Sequence, residues 1–212
     1  MNLIDKRIIA ITGPSGAGKT TLGDLLASRN NFGVPKHCTT RNRRSDDKEG
    51  FYRYLEHSEY RSLVENDAFL ITSGDGPEVK KEYGNFYGVL KQDCLVALEK
   101  TDTIILYVSY KDIERLKELK KQGFNIEIVG ITFSDIEKGV RNRLLSDHTR
   151  NHTEEDMNRR INIAVSDNEK YRKQLELNAT SIVYTDLLGI EETYNKVIKD
   201  LELEKTKSCK SI

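Results

Sequence analysis

The chain has 212 residues, and its 34 Lys and Arg residues balance its 34 Asp and Glu residues. Without an excess of basic residues, a nucleic-acid-binding protein is not favoured. No apolar run approaches the ~20 residues that cross a bilayer, and residues 1–7 lack the apolar stretch of a secretory signal, which together predict a cytoplasmic protein with no membrane partner. The three cysteines (Cys38, Cys94 and Cys209) are too few and too scattered for a disulfide framework or a zinc cluster, and we expect reduced thiols.

The first predicted elements are a buried strand at residues 7–11 and, directly after it, a glycine-rich loop. Residues 13–20 read GPSGAGKT and fill the phosphate-binding pattern G-x-x-x-x-G-K-[ST] without a gap. Leu22, Leu25 and Leu26 follow at helical spacing. The pattern therefore has the strand-loop-helix context that it requires.

The residue types of this loop suit a nucleoside triphosphate. Glycines let consecutive backbone N–H groups turn towards phosphate oxygens, and the helix that begins here adds its partial positive charge. Lys19 is expected to reach the β- and γ-phosphates of the nucleotide, and the Thr20 hydroxyl to bind Mg²⁺. The residues predicted to contact ATP are Gly13, Ser15, Gly16, Ala17, Gly18, Lys19, Thr20 and Thr21.

Further along the chain, buried strands alternate with helices. Strands are predicted at residues 103–108, 126–133 and 181–184, and helices at 112–121 and 190–203. This alternation predicts an α/β fold with a mainly parallel sheet that is covered on both faces. Ligands of such sheets bind beyond the C-terminal ends of the strands, where the glycine-rich loop lies.

Two segments interrupt the alternation. Residues 35–88 are rich in Arg, Tyr, Gly and Asp, with one helix predicted from Ser58, read as an N-cap, to Asn66. Residues 141–160 are dense in charge, and Thr153 begins a helix-start signal of the capping-box type.

Both segments supply arginines, and phosphoryl transfer requires several cations around donor and acceptor. Arg41 and Arg44, with aromatic residues close behind, suit bidentate capture of an acceptor's phosphate. The arginines of residues 141–160 are spaced to fold over the donor as a lid. Taken alone, either cluster also fits a solvated charged surface.

A series of motifs, in order, resembles those of the guanylate kinase family. Residues 13–21 resemble its P-loop, including the Pro-Ser pair after the first glycine. The motifs T-T-R-x-x-R at 39–44, E-G-x-Y-x-Y at 49–54 and G-N-F-Y-G at 84–88 resemble its monophosphate-binding motifs. Segments at 143–144, 159–161 and 183–186 resemble its lid and closing strand, so the likeness runs from about residue 7 to 203.

The resemblance implies a three-layer P-loop fold with a monophosphate-binding subdomain and a lid. It implies an enzyme that moves the γ-phosphate of ATP, with Mg²⁺, onto a nucleoside monophosphate, GMP or dGMP by default. The implied divisions are a core (1–34, 91–140 and 161–205), an acceptor subdomain (35–90), a lid (141–160) and a flexible tail (206–212). The implied acceptor-binding residues are Arg41, Arg44, Tyr52 and Tyr87, and the implied catalytic residues are Lys19, Arg44, Arg143 and Arg160.

The sequence departs from this family at the positions that read guanine. The substituted positions are His37 and Cys38 for serine, Ile71 for glutamate, Val89 for serine or threonine, and Tyr107 and Ser109 for two aspartates. Guanine N1–H and N2–H₂ need an acceptor, and leaving them unpaired when buried costs about 1–3 kcal/mol.

Several residues are candidates to serve this altered pocket. Asp75, Glu78 or Glu82, in a connection longer than the family's, are candidates to replace the lost carboxylate. His37 is kept as a candidate acceptor-binding residue because it lies where the base or phosphate pocket is expected.

Three interpretations follow. The leading one is the nucleoside monophosphate kinase. The second is a kinase on the same scaffold with another phosphorylated acceptor, such as a ribose phosphate, because phosphate-binding residues persist while base-reading residues have changed. The third is a catalytically silent binding module, against which the retained Lys19 and Thr20 argue.

Overall fold

The computed structural model describes residues 3–45, 47–73, 85–146 and 153–203. Asp75, Glu78 and Glu82, proposed above as replacement carboxylates, lie outside the described residues, as do Gly84, Cys209 and the tail at 206–212.

A four-stranded parallel sheet forms the centre of the molecule. Its strands, in spatial order, are β6 (Thr103–Val108), β1 (Arg7–Thr12), β7 (Asn125–Thr132) and β8 (Ser181–Tyr184). All three neighbouring pairs are parallel, for example with Ile9 opposite Ile105 on one side and opposite Glu127 on the other. The predicted parallel sheet is therefore confirmed, with strand ends within one residue of expectation.

Helices cover both faces of this sheet because alternate residues of each strand point to opposite sides. Ile9 and Ile11 of β1 pack with the helix that follows the glycine-rich loop and with the last helix of the chain. Ile8 and Ala10 pack on the other face. All four side chains are fully buried, as expected for strands of a parallel sheet covered on both sides.

A second four-stranded sheet lies within residues 37–90. Its strands, in spatial order, are β3 (Tyr52–Tyr54), β2 (His37–Thr39), β5 (Tyr87–Leu90) and β4 (Phe69–Ser73). The pair β2–β3 is parallel, while β2–β5 and β4–β5 are antiparallel. On one face of this sheet, Cys38 packs in a cluster with Tyr60 and Phe86. Burial raises the pKa of the Cys38 thiol to about 12.

The helices agree with expectation in part. They are α1 (Lys19–Asn30), α2 (His57–Glu65), α3 (Lys91–Ala97), α4 (Ile113–Lys121), α5 (Ile136–Ser146), α6 (Glu154–Asn178) and α7 (Ile190–Asp200). Thr153 is confirmed as an N-cap, since its hydroxyl accepts from the Asp156 N–H. The Ser58 cap was wrong: the N-cap is Glu56, without a side-chain cap bond, and Ser58 lies in the first turn of α2.

Helices near the chain's end also differ from the prediction. The last helix ends at Asp200 rather than Leu203. The described parts of the proposed lid are helical, belonging to the end of α5 and to the start of the 25-residue α6. Within the described residues, none of these helices combines the length and the apolarity of a membrane span.

Candidate functional site

The glycine-rich loop has a backbone that only glycine permits at its first position. A Cβ on Gly13 would lie 1.9 Å from the Ile131 carbonyl oxygen of β7, and its φ is +151°. Gly16 and Gly18 also have positive φ values, of 79° and 96°. The loop therefore adopts a conformation that suits backbone N–H groups turned around an anion.

Helix α1 begins directly in this loop. Its N-cap is Gly18, and no side chain caps the first turn. Uncapped N–H groups and the helix dipole favour a negative charge at this point. Thr20, in that first turn, is exposed towards the neighbouring cleft.

Lys19 lies at the mouth of the loop. Its ammonium donates to the carbonyl oxygens of Gly13 and Pro14, at 2.7 and 2.8 Å. Desolvation by burial lowers the pKa of Lys19 to about 8, so the amine remains mostly protonated at neutral pH. A cation held against the loop by neutral carbonyls can turn to a phosphate without breaking an ion pair.

Of the two lid arginines predicted to be catalytic, Arg143 and Arg160, one approaches the loop. A Cβ on Gly16 would lie 3.2 Å from the Arg143 Cβ, so the stem of Arg143 crosses directly over this glycine. Arg160, on the first turns of α6, instead pairs its Nε with Asp156 on its own helix, at 2.8 Å.

One face of the second sheet carries the predicted acceptor residues. Directly opposite residues in a sheet share a face. The pairs His37–Tyr52, Thr39–Tyr54 and Thr39–Tyr87 therefore place these side chains on one side. Tyr87 is 36% exposed at the outer end of this face.

Arg41 is buried at the edge of this face and is already paired. Its guanidinium donates to both carboxylate oxygens of Asp47, at 2.7 and 2.5 Å. The rings of Tyr52 and Tyr54 lie 4.7 and 5.9 Å from its Cζ. This hydrogen bonding to Asp47 raises the pKa of Arg41.

Arg44 is exposed, and its backbone N–H donates to the same carboxylate. Sequence reasoning missed Asp47, since a carboxylate six residues after an arginine in an irregular loop has no periodic or motif signal.

His37 is buried, with only 5% of its surface exposed. Its Nδ1 lies 3.1 Å from the Pro35 carbonyl oxygen, and its Nε2 lies 3.2 Å from the backbone N–H of Tyr107. These partners require a neutral ring protonated on Nδ1. The ring stacks on Phe51 at 4.9 Å, and burial lowers its pKa to about 4. A direct contact with an acceptor therefore requires one of these two hydrogen bonds to break.

Three positions at which the sequence departs from the family lie in one cross-strand row. His37 is opposite Val89, and Val89 is opposite Ile71. Ile71 and Val89 are 3% and 1% exposed and pack with Val108 at the C-terminal end of β6. Among the described residues, this row offers a purine edge no free hydrogen-bond acceptor.

A cleft of about 830 Å³ lies between α1 and the segments 34–36 and 48–51, which lead into β2 and β3 of the second sheet. Thr20, Thr21 and Asp24 line it on one side, and Lys48 and Phe51 on the other. The Lys48 ammonium lies 3.2 Å from both oxygens of Asp24 and links the two sides. Such a volume accommodates a nucleotide-sized ligand.

Comparisons with known proteins agree with this architecture. The family profile described as Guanylate kinase matches residues 5–206. A guanylate kinase of Clostridium acetobutylicum is 30% identical over 137 residues, which are 64% of this chain and 62% of that protein. One of Carboxydothermus hydrogenoformans is 29% identical over 138 residues, which are 64% of each chain. The match thus spans less than two thirds of these curated relatives.

A solved structure shares the fold. The crystal structure of guanylate kinase from Anaplasma phagocytophilum aligns with 96% of this chain and 88% of its own, with a TM-score of 0.64 at 18% identity. The profile match over nearly the whole chain, with the P-loop motif at residues 13–20, shows that the chain belongs to the guanylate kinase family.

Proposed function

We propose that the protein transfers the γ-phosphate of ATP to a nucleoside monophosphate, with GMP and dGMP as the first acceptors to test. The observation that carries the proposal is the pairing of two anion sites. One is the glycine loop with Lys19 and the Arg143 stem, and the other is the segment after β2 that carries Arg41 and Arg44. Lys48, just after this segment, pairs with Asp24 of α1 across the cleft. The names of the relatives supply the nucleotide class.

The proposed roles follow from charge and position. Lys19 turns from the Gly13 and Pro14 carbonyls to the transferred phosphoryl group, and Arg143 reaches it from across Gly16. Arg160 joins them once it releases Asp156. The acceptor's phosphate is already an anion, so the reaction needs no general base.

Magnesium fits this site through Thr20. Mg²⁺ usually keeps several waters and binds one or two protein oxygens together with substrate phosphates. The exposed hydroxyl of Thr20, in the first turn of α1, can supply one such oxygen. When bound, the ion neutralises charge that develops on the phosphates.

An ADP-release assay tests the proposal. Wild type is compared with Lys19→Ala across GMP, dGMP, AMP, CMP, UMP and dTMP, with ATP and Mg²⁺ present. Turnover of at least one acceptor, lost in the variant, supports the function. Lack of turnover with every acceptor refutes it.

A second candidate is a kinase for another small phosphorylated acceptor, such as a ribose phosphate. The row of His37, Val89 and Ile71 favours it, because this row is buried and leaves guanine donors without a partner among the described residues. A ligand that binds only the folded protein raises its unfolding temperature, and at equal concentration the ligand with the lower Kd raises it more. Stabilisation by ribose phosphate but not by GMP supports this candidate, and the reverse rejects it.

A further inference from the structure

We propose that Asp47 is a positioning residue of the acceptor-phosphate site, whose carboxylate holds Arg41 and Arg44 in the arrangement that receives an anionic acceptor. The inference rests on the proposed function, since it concerns the same site. Asp47 acts through the two arginines and does not itself contact the acceptor.

The Asp47 carboxylate is the centre of a hydrogen-bond network. Its side chain is 6% exposed and accepts four hydrogen bonds. Arg41 donates two, the Tyr54 hydroxyl donates one at 2.6 Å, and the Arg44 backbone N–H donates one at 2.8 Å. The Arg41 guanidinium holds the pKa of Asp47 well below its usual range, so the carboxylate is ionised at neutral pH.

Burial makes this partner necessary for Arg41. The Arg41 side chain is 5% exposed, and a buried guanidinium without an ionised partner strongly destabilises a fold. Asp47 satisfies that requirement and fixes the plane of the guanidinium beside Tyr52 and Tyr54.

The geometry leaves Arg41 able to act on a second anion. A guanidinium has five N–H donors. Three of them are engaged by Asp47 and by the Asn42 carbonyl oxygen. The Nε–H and one Nη2–H remain for the Tyr52 hydroxyl and an incoming phosphate. Asp47 therefore orients donors of Arg41 without consuming all of them.

The same carboxylate holds the backbone of Arg44. The Arg44 N–H donates to Asp47, and the Asp47 N–H donates back to the Arg44 carbonyl oxygen at 3.3 Å, which closes a turn. Since Asp47 neutralises Arg41, the positive charge offered to an acceptor at this edge comes from the exposed Arg44 and its exposed neighbour Arg43. An acceptor would meet oriented donors from Arg41 and positive charge from these neighbours.

Kinetics of Asp47 variants test the inference. Asp47→Asn keeps the shape and removes the charge, and we expect the acceptor KM to rise by about tenfold or more while the ATP KM stays within about twofold. Asp47→Glu should restore part of the acceptor affinity. The matched control, Asp102→Asn, removes an exposed ion pair with Lys6 just before β6, at the edge of the sheet opposite the loop, and should change neither KM.

A milder variant covers the case in which Asp47→Asn does not fold. Tyr54→Phe removes a single donor to the carboxylate and should raise the acceptor KM by about two- to threefold. An unchanged or lower acceptor KM in the folded Asp47 or Tyr54 variants overturns the inference, because Asp47 then competes with the acceptor or has no part in its binding.

A binding experiment separates this inference from the proposed function. In a Lys19→Ala background, which weakens the P-loop phosphate site, stabilisation by inorganic phosphate reports mainly on the Arg41–Arg44 edge. We expect Asp47→Asn to abolish this rise in unfolding temperature and Asp102→Asn to keep it. Retained stabilisation overturns the positioning role even if turnover is found, and its loss supports the role even if no tested acceptor is phosphorylated.

Discussion

Replacing His37 by phenylalanine should remove a specific part of the protein's sensitivity to acid. The imidazole is buried, its two nitrogens have backbone partners, and burial lowers its pKa to about 4 from an ordinary value near 6.5. Phenylalanine keeps a ring to stack on Phe51 but cannot take up a proton.

The sign and size follow from proton linkage. Between pH 6.5 and 4 the unfolded chain binds a proton at this histidine and the folded chain does not, so stability falls as the pH falls through this window. The stability that the neutral His37 ring contributes is fully present above pH 6.5. A difference of about 2.5 units corresponds to about 3 kcal/mol in full, of which about 2 kcal/mol is lost by pH 5.

Urea unfolding at pH 7.5 and pH 5 measures the effect in wild type and His37→Phe. The variant starts less stable, because the Tyr107 N–H and the Pro35 carbonyl lose partners. The difference between the two free energies of unfolding should then shrink by about 2 kcal/mol on acidification. The titration of the carboxylates does not affect this difference, because both proteins contain the same ones. A difference independent of pH refutes the reasoning.

Three further changes have defined outcomes. Lys19→Ala should reduce kcat/KM by about 10³-fold or more while circular dichroism stays unchanged, and ordinary activity would contradict its role. Arg44→Ala should raise the acceptor KM and lower kcat together, with the ATP KM unaffected, as initial rates at varied acceptor will show. Gly23→Ala should destabilise the protein to urea by about 1–3 kcal/mol, because its Cβ would lie 2.2 Å from the Tyr107 hydroxyl. Adding Tyr107→Ala should make the two costs less than additive.

The parallel sheet was predictable because its signal is local. The four buried strands are mainly apolar stretches of the sequence, and the GPSGAGKT motif marks where the first strand ends and the first helix begins. The second sheet was not predicted. Its strands have three to five residues, too short to show a clear period, and the three residues of β2 (His37, Cys38 and Thr39) are all buried. Their pairing depends on contacts distant in sequence.

The candidate site was predictable where a motif carries the chemistry. Residues 13–20 form the expected loop, and the Arg143 stem does lie against it. The partners of charged side chains were not predictable, because the sequence does not reveal that Arg41 pairs with Asp47 or that Arg160 pairs with Asp156. Each of these two arginines is neutralised by a carboxylate. The folded loop brings Asp47 to Arg41, and helix α6 brings Asp156 to Arg160.

The unusual residues around the proposed acceptor pocket depend on one another physically. The Tyr107 backbone N–H donates to the neutral His37 ring, and that ring stacks on Phe51. The Tyr107 side chain fits only because position 23 is glycine. Restoring one family residue at His37 therefore leaves a buried backbone N–H unpaired and the ring of Phe51 without its stacked partner. Because His37, Phe51 and Tyr107 form one packed unit, we expect the acceptor choice of the proposed kinase to change when all three are replaced together and not on single replacements.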